Sequence, residues 1–113
     1  MLICNHWDVV SIPFPFMERN ATKRRPALVL STNAFNAANE HTVLAMITAS
    51  MLEKWPSDHA LENPKAAGLN HNCLVRMKVF TLPNSMIAKI IGELADEDRE
   101  AMAVKARMTF IRA

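Results

Sequence analysis

The chain has 113 residues, half of them hydrophobic and 21% charged, which is typical of one soluble globular domain spanning residues 1–113. Its longest apolar runs are far shorter than the ~20 residues that cross a membrane, so we expect no membrane partner. The sequence does not open with a basic segment followed by a long apolar one, so we expect no secretory signal and a cytoplasmic location. A net charge of +2 does not by itself indicate nucleic-acid binding, although a local group of cations can attract a polyanion.

The first predicted strand is Asp8–Phe16, where apolar residues alternate with a face that carries two prolines. Proline cannot donate a ladder hydrogen bond, so this strand is expected at a sheet edge or at a bend. A polar loop over 17–22 leads through Arg25 and Pro26 into a second strand, Ala27–Thr32. Because proline disfavours helical backbone at the residue before it, Arg25 is expected in extended backbone at the start of that strand.

The middle of the chain predicts a helix, a strand and a long loop. The helix is short, Asn33–Glu40, and Thr32 or Asn33 is expected to cap it. An almost continuous apolar run predicts a third strand over Thr42–Ala49. Met51–Asn72 is the longest irregular stretch, and loops of this length in small domains are usually functional or mobile.

The last third of the chain predicts two strands and a helix. Cys73–Phe80 alternates clearly and places Arg76 and Lys78 on one face, which is more often a solvated face than a binding surface. After a turn, a fifth strand is predicted over Met86–Ile91, and a C-terminal helix over Asp96–Ile111. Five strands before a terminal helix indicate a mainly β (α+β) fold, a small antiparallel barrel or curled sheet.

The C-terminal helix has a charge pattern that matches its dipole, with acidic residues in the first turn and basic residues later. Asp96 is the predicted N-cap. A stripe of apolar residues at helical spacing is expected to pack on the core: Ala101, Val104, Met108 and Ile111.

Two sets of polar residues give only weak signals for chemistry. The spacings of Asp58, His59, His71 and Cys73 fit none of the usual zinc frameworks, so no metal site is predicted. Cys73 could pair with His59 or His71 as a nucleophile, but nothing orients the imidazole, and a buried thiol acting as a small hydrophobe is the favoured interpretation. The two cysteines form no C-x-x-C pair and are expected to be reduced. With only two glycines there is no phosphate-binding loop, and no cofactor is expected.

Arg25 and Thr48 form a stronger candidate pair. Each lies at the end of a predicted central strand, so the two side chains could converge on one cleft. An arginine is well suited to stabilise charge on a phosphoryl group in a transition state, and a threonine hydroxyl can donate a hydrogen bond to the same phosphate. The pair therefore favours phosphate chemistry, without deciding it.

Short motifs follow one another in a recognisable order: Asp8–Phe16, Lys23–Ser31, Ile47-Thr48, Trp55–His59, Gly68-Leu69, Val75-Arg76, Thr81-Leu82 and Ile91–Leu94. In this order and spacing the chain resembles the MazF/PemK family of toxin endoribonucleases over about Asp8 to Asp98. One such motif would be a weak signal, whereas the ordered set is specific.

This resemblance implies an SH3-like barrel, a homodimer, and sequence-selective, metal-independent cleavage of single-stranded RNA. The 2′-hydroxyl would attack the adjacent phosphate and leave a 2′,3′-cyclic phosphate, and a cognate antitoxin would block the RNA groove. By motif, Arg25 and Thr48 would be the catalytic pair. The residues expected to contact RNA are Lys23, Arg24, Cys73, Arg76 and Lys78.

Four positions depart from the family pattern. Trp7 replaces a glycine at the first turn, Ala49 replaces a serine after the catalytic threonine, and Cys73 replaces a serine before Val75-Arg76. Lys78 stands where one branch of the family has an aspartate. If that aspartate is the base in its branch, this protein uses another route.

Two rival functions use the same fold. One is a non-enzymatic toxin that binds a protein target such as DNA gyrase, and the other is an inactive RNA-binding relative. Arg25 distinguishes the enzyme from these rivals. An enzyme should lose turnover on Arg25→Ala while it remains folded, whereas a pure binder should depend on its protein-contact surface.

Overall fold

The computed structural model describes residues 1–14, 23–49 and 52–111. The strands are β1 (Asp8–Phe14), β2 (Lys23–Val29), β3 (His41–Thr48), β4 (His59–Ala60), β5 (Leu74–Pro83) and β6 (Lys89–Glu93). Helix α1 is Asn33–Asn39, a 3-10 turn occupies Asn84–Met86, and helix α2 is Asp96–Phe110. The predicted end of the first strand, Pro15–Phe16, and the polar loop 17–22 lie outside the described residues.

The strands form one sheet in the order β4-β5-β3-β2-β1-β6, and every neighbouring pair is antiparallel. The sheet curls into a half-barrel, with the C-terminal helix following its last strand. The mainly β prediction of an antiparallel barrel followed by a helix is therefore confirmed. No helix among the described residues is both long enough and apolar enough to cross a membrane.

Strand β2 differs from the prediction, because it begins at Lys23 rather than Ala27. Arg25 and Pro26 thus lie inside the strand, where they pair with Ile12 and Ser11 of β1. The ladder between β2 and β3 runs from Ala27 to Val29. The ladder ends beside Pro26 because proline has no backbone N–H to donate to β3.

The C-terminal part of the sheet also differs from the prediction. Residues 84–86 form a 3-10 turn, so the last strand begins at Lys89 and runs through Gly92 to Glu93. The long stretch predicted to be irregular contains the short strand β4, which pairs with β5. Propensity alone could not find a two-residue strand, because its partner lies 14 or more residues further along the chain.

Helix α2 packs on the core through a different face from the predicted one. Asp98 and Met102 have no exposed surface, whereas Val104, Met108 and Ile111 are 53%, 80% and 68% exposed. The expectation that the apolar stripe packs on the core is wrong, because the buried carboxylate of Asp98 fixes which side of the helix faces inward. The N-cap is Ala95 and makes no side-chain hydrogen bond, so the predicted cap at Asp96 is also wrong.

The buried apolar side chains form two clusters. One lies between the sheet and the start of α2 and includes Val9, Ile47, Val75 and Met102. The other lies near α1 and includes Val10, Ile12, Leu44 and Leu82. Thr32 caps α1 by accepting a hydrogen bond from the backbone N–H of Phe35, as one of the two predicted caps.

Candidate active site

A cavity of about 860 Å³ opens where β2 and β3 diverge. Its walls come from the middle of β1, the first half of β2, the end of β3, the middle of β5 and the segment 68–73 without Asn72, together with Ile91 of β6. On the N-terminal side of Pro26, β2 no longer pairs with β3. The side chains that precede the proline therefore face a space instead of a neighbouring strand. The cavity follows from the backbone pattern of Arg25-Pro26.

Arg25 and Thr48 both line this cavity. The β2–β3 register pairs Ala27 with Met46 and Leu28 with Ala45. Continuing it by two residues would place Arg25 opposite Thr48, so the two residues stand across from each other at the point where the strands separate. Residues opposite each other in an antiparallel register share a face, which brings the guanidinium and the hydroxyl to the same space, as the sequence predicted.

The charged groups of the described cavity lining are all cationic. They are Arg24 and Arg25 on β2 and Lys78 on β5. Arginine and lysine side chains bind anions, and a guanidinium binds phosphate oxygens in a bidentate geometry. Phosphate is therefore the chemical group that this part of the cavity suits.

Cys73 lies at the edge of the cavity and is 3% exposed. Its thiol lies 3.5 Å from the carbonyl oxygen of His71, and burial raises the pKa of the thiol above its ordinary value. A thiol with a raised pKa is a poor nucleophile near neutral pH. The structure thus agrees with the interpretation of Cys73 as a small buried side chain, and it places Cys73 beside the predicted substrate space.

Arg76 and Lys23 are not among the cavity-lining residues. The guanidinium of Arg76 donates to both carboxylate oxygens of Asp58, at 3.1 and 2.8 Å, and to the carbonyl oxygen of Glu53. It also lies 5.1 Å from the centre of the Trp55 ring. The hydrogen bond from Arg76 lowers the pKa of Asp58. In this state Arg76 ties the loop before β4 to β5, and its contact with RNA stays a prediction.

Two groups lining the cavity were not assigned a role by sequence reasoning. His71 and Asn70 belong to residues 68–73, which form one wall, and His71 was considered only as a metal ligand or as a partner of Cys73. No period or motif marks these residues, because they lie between a turn and a strand. Among the described residues, no three His, Cys, Asp or Glu side chains are grouped as metal ligands.

The model of one protein family matches residues 5–109, and its description is a PemK-like, MazF-like toxin of a type II toxin–antitoxin system. The chain belongs to this family. The matched range contains every residue of the cavity lining named above. A comparison with curated proteins gave no significant match.

Solved structures of toxins share the fold. A MazE–MazF structure from Deinococcus radiodurans aligns with a TM-score of 0.75 at 17% identity and covers 100% of both chains. An endoribonuclease in complex with its cognate antitoxin from a mycobacterial species gives 0.74 at 16% identity, covering 96% of this chain and 93% of that chain. The Mycobacterium tuberculosis toxin MazF-mt6 gives 0.69 at 19% identity, covering 91% and 95%. At these identities the likeness concerns the fold.

Proposed function

We propose that this MazF-like chain is a single-domain, sequence-selective endoribonuclease that cleaves single-stranded RNA without a metal ion. The observation that carries the proposal is the cavity in which Arg25 and Thr48 converge among cations. Family membership and the endoribonuclease named in a structure of the same fold support it.

The proposed reaction is an internal transesterification. The 2′-hydroxyl attacks the adjacent phosphorus, and negative charge increases on the non-bridging oxygens in the transition state. Arg25 stabilises that charge, and the hydroxyl of Thr48 donates a hydrogen bond to the same phosphate. Arg24 and Lys78 attract the RNA backbone through its phosphates. The products are a 2′,3′-cyclic phosphate and a free 5′-hydroxyl.

The proposal includes a homodimer and a cognate antitoxin, both acting in the cytoplasm. The exposed apolar side chains of the second half of α2 support a protein contact, since Met108 is 80% and Phe110 is 56% exposed. A contiguous group of such side chains is typical of a protein-binding surface. A structural neighbour also has its cognate antitoxin bound.

The test is cleavage of a mixed-sequence single-stranded RNA in the presence of EDTA, with folding checked by circular dichroism. Arg25→Ala should lower the cleavage rate by about 10²–10³-fold, because one charged donor to the transition state is removed. Thr48→Ala should also slow the reaction. Lys89→Ala removes an exposed cation of β6 that does not line the cavity and should leave the rate unchanged.

Two results would contradict the proposal. If folded wild type left several RNA sequences intact, a non-enzymatic toxin that binds a protein target would become the better explanation. If Arg25→Ala cleaved RNA as fast as wild type, the cavity would not be the cleavage site.

A further inference from the structure

We propose that His71 is the general base of the reaction, the group that takes the proton from the attacking 2′-hydroxyl. This assignment rests on the proposed function and names a catalytic residue for it. His71 lies in the cavity wall that also contains Cys73, and this wall encloses the same space as Arg25 and Thr48.

A ribonuclease of this kind needs a proton acceptor that is neutral or anionic near pH 7. Among the described residues, five titratable side chains line the cavity. They are Arg24 and Arg25 on β2, Lys78 on β5, Cys73 directly before β5, and His71. The arginines and the lysine are normally protonated near neutral pH, and burial raises the pKa of Cys73, which keeps its thiol protonated. A histidine, by contrast, changes its charge between about pH 5 and 8.

The backbone on both sides of His71 is held in place. On the N-terminal side, the amide of Leu69 donates to the carbonyl of Pro64 at 3.0 Å. On the C-terminal side, the carbonyl of Cys73 accepts a hydrogen bond from the amide of Leu61 at 3.0 Å, and the Cys73 side chain is buried. A residue on a segment anchored at both ends keeps a defined position relative to the cavity, as a catalytic base requires.

His71 itself is exposed and therefore open to substrate. Among the described residues, the charged groups lining the cavity with it are the three cations. His71 therefore shares the cavity with the cations that would bind the phosphate of the substrate.

In the proposed step, an imidazole nitrogen of His71 takes the 2′-hydroxyl proton as the bond between the 2′-oxygen and phosphorus forms. The bond between phosphorus and the 5′-oxygen breaks, and the 5′-oxygen takes up a proton from water. The imidazolium then returns its proton to solvent. In this scheme Arg25 and Thr48 act on the phosphate, and His71 activates the attacking 2′-hydroxyl.

The experiment compares wild type, His71→Gln and His41→Gln in single-turnover cleavage of RNA from about pH 5 to pH 9. His41 is exposed on β3 and does not line the cavity, so His41→Gln should match wild type. His71→Gln should cleave about 10²-fold or more slowly near neutral pH. Wild type should also slow toward acidic pH, because a histidine accepts a proton only when its imidazole is neutral, and this decrease should disappear in His71→Gln. RNA binding, measured by fluorescence anisotropy, should change less than threefold.

Each other outcome overturns the assignment in a recognisable way. If wild type cleaves and Arg25→Ala is slow, but His71→Gln keeps the rate and pH profile of wild type, the base is another group. A slow His71→Gln that retains the wild-type pH profile would reduce His71 to a structural or binding role. If wild type itself does not cleave RNA, the proposed function fails, and the His71 assignment fails with it.

Discussion

The carboxylate of Asp98 shows how one residue can join two distant parts of the chain. It is completely buried near the start of α2. One oxygen accepts from the backbone amide of Glu62 at 2.9 Å and lies 2.8 Å from Nε2 of His59, and the other accepts from the amide of Asn63 at 3.0 Å. Burial alone would raise the pKa of this carboxyl, but the hydrogen bonds outweigh burial and lower it.

This geometry makes a prediction for stability. Asp98→Asn should lower the free energy of unfolding at pH 7 by about 2–3 kcal/mol, because an amide cannot accept as strongly from all three donors. A carboxyl whose pKa is lowered by folding adds stability above its unfolded pKa of about 3.9, and that stability is lost as the pH falls through the folded pKa. The difference in the free energy of unfolding between wild type and Asp98→Asn should therefore become smaller below about pH 4.

Urea unfolding at several pH values checks this prediction. Asp96→Asn serves as the matched control, since Asp96 is exposed two residues earlier on the same helix. A stability gap that stays constant down to pH 2 would show that folding does not lower the pKa of Asp98. An Asp98→Asn variant as stable as Asp96→Asn would show that the hydrogen bonds of the Asp98 carboxylate add no stability.

Trp7 is a second residue whose local geometry matters. Its φ of 74° lies in the left-handed region, which favours glycine. The backbone of Trp7 still donates to the carbonyl of Val29 at 3.0 Å and accepts from the amide of Leu94 at 3.1 Å. Two backbone hydrogen bonds therefore hold this turn, and the Trp7 ring stacks on His6 with 3.9 Å between the ring centroids.

At the scale of elements, the two glycines of the chain meet where the turn over residues 64–68 packs on β6. Gly68 has a φ of 78°, and a Cβ there would lie 2.1 Å from the carbonyl oxygen of Ile91. A Cβ on Gly92 would lie 2.4 Å from the carbonyl carbon of Ala67. Both glycines are needed for this close approach of two backbones, and the turn leads directly into the cavity wall at residues 68–73.

Gly92→Ala should consequently affect both stability and activity. The added methyl group must push the turn away from β6, and overpacking of this kind costs about 1–3 kcal/mol. The same displacement should move the wall that carries His71 and slow RNA cleavage. Thermal unfolding and the cleavage assay measure the two effects, with Lys89→Ala, an exposed position on the same strand, as control. Wild-type stability in Gly92→Ala would show that the turn is free to shift.

The elements also show where sequence reasoning succeeded and where it failed. Alternation located β1 and β5, and an almost continuous apolar run located β3, each to within a few residues, because all three strands contribute buried side chains to the core. The start of β2 was missed, since Lys23 to Pro26 pair only with β1 and carry no apolar pattern of their own. The buried face of α2 was also missed, because a carboxylate that is satisfied by a loop over 30 residues earlier in the chain cannot be recognised from helical periodicity.

At the scale of the whole molecule, the curled sheet brings the first half of β2, the end of β3 and the middle of β5 to one cavity. Arg25 and Thr48 could be predicted as a pair because both lie at the ends of apolar runs. The state of Arg76 could not be predicted, since it depends on Asp58, 18 residues away along the chain. His71 could not be assigned a role either, because only the packing of residues 64–68 on β6 places it in the wall.

The most direct test of the account is mass spectrometry of the RNA ends produced by wild type in the presence of EDTA, with a matched RNA carrying a single 2′-deoxy nucleotide at the cleavage site. The account predicts 2′,3′-cyclic phosphate and 5′-hydroxyl ends, no cleavage at the 2′-deoxy position, and cleavage by Arg25→Ala that is slower by about 10²–10³-fold. Products with 5′-phosphate ends, or cleavage at the 2′-deoxy position, would contradict attack by the 2′-hydroxyl and with it the proposed chemistry of the cavity.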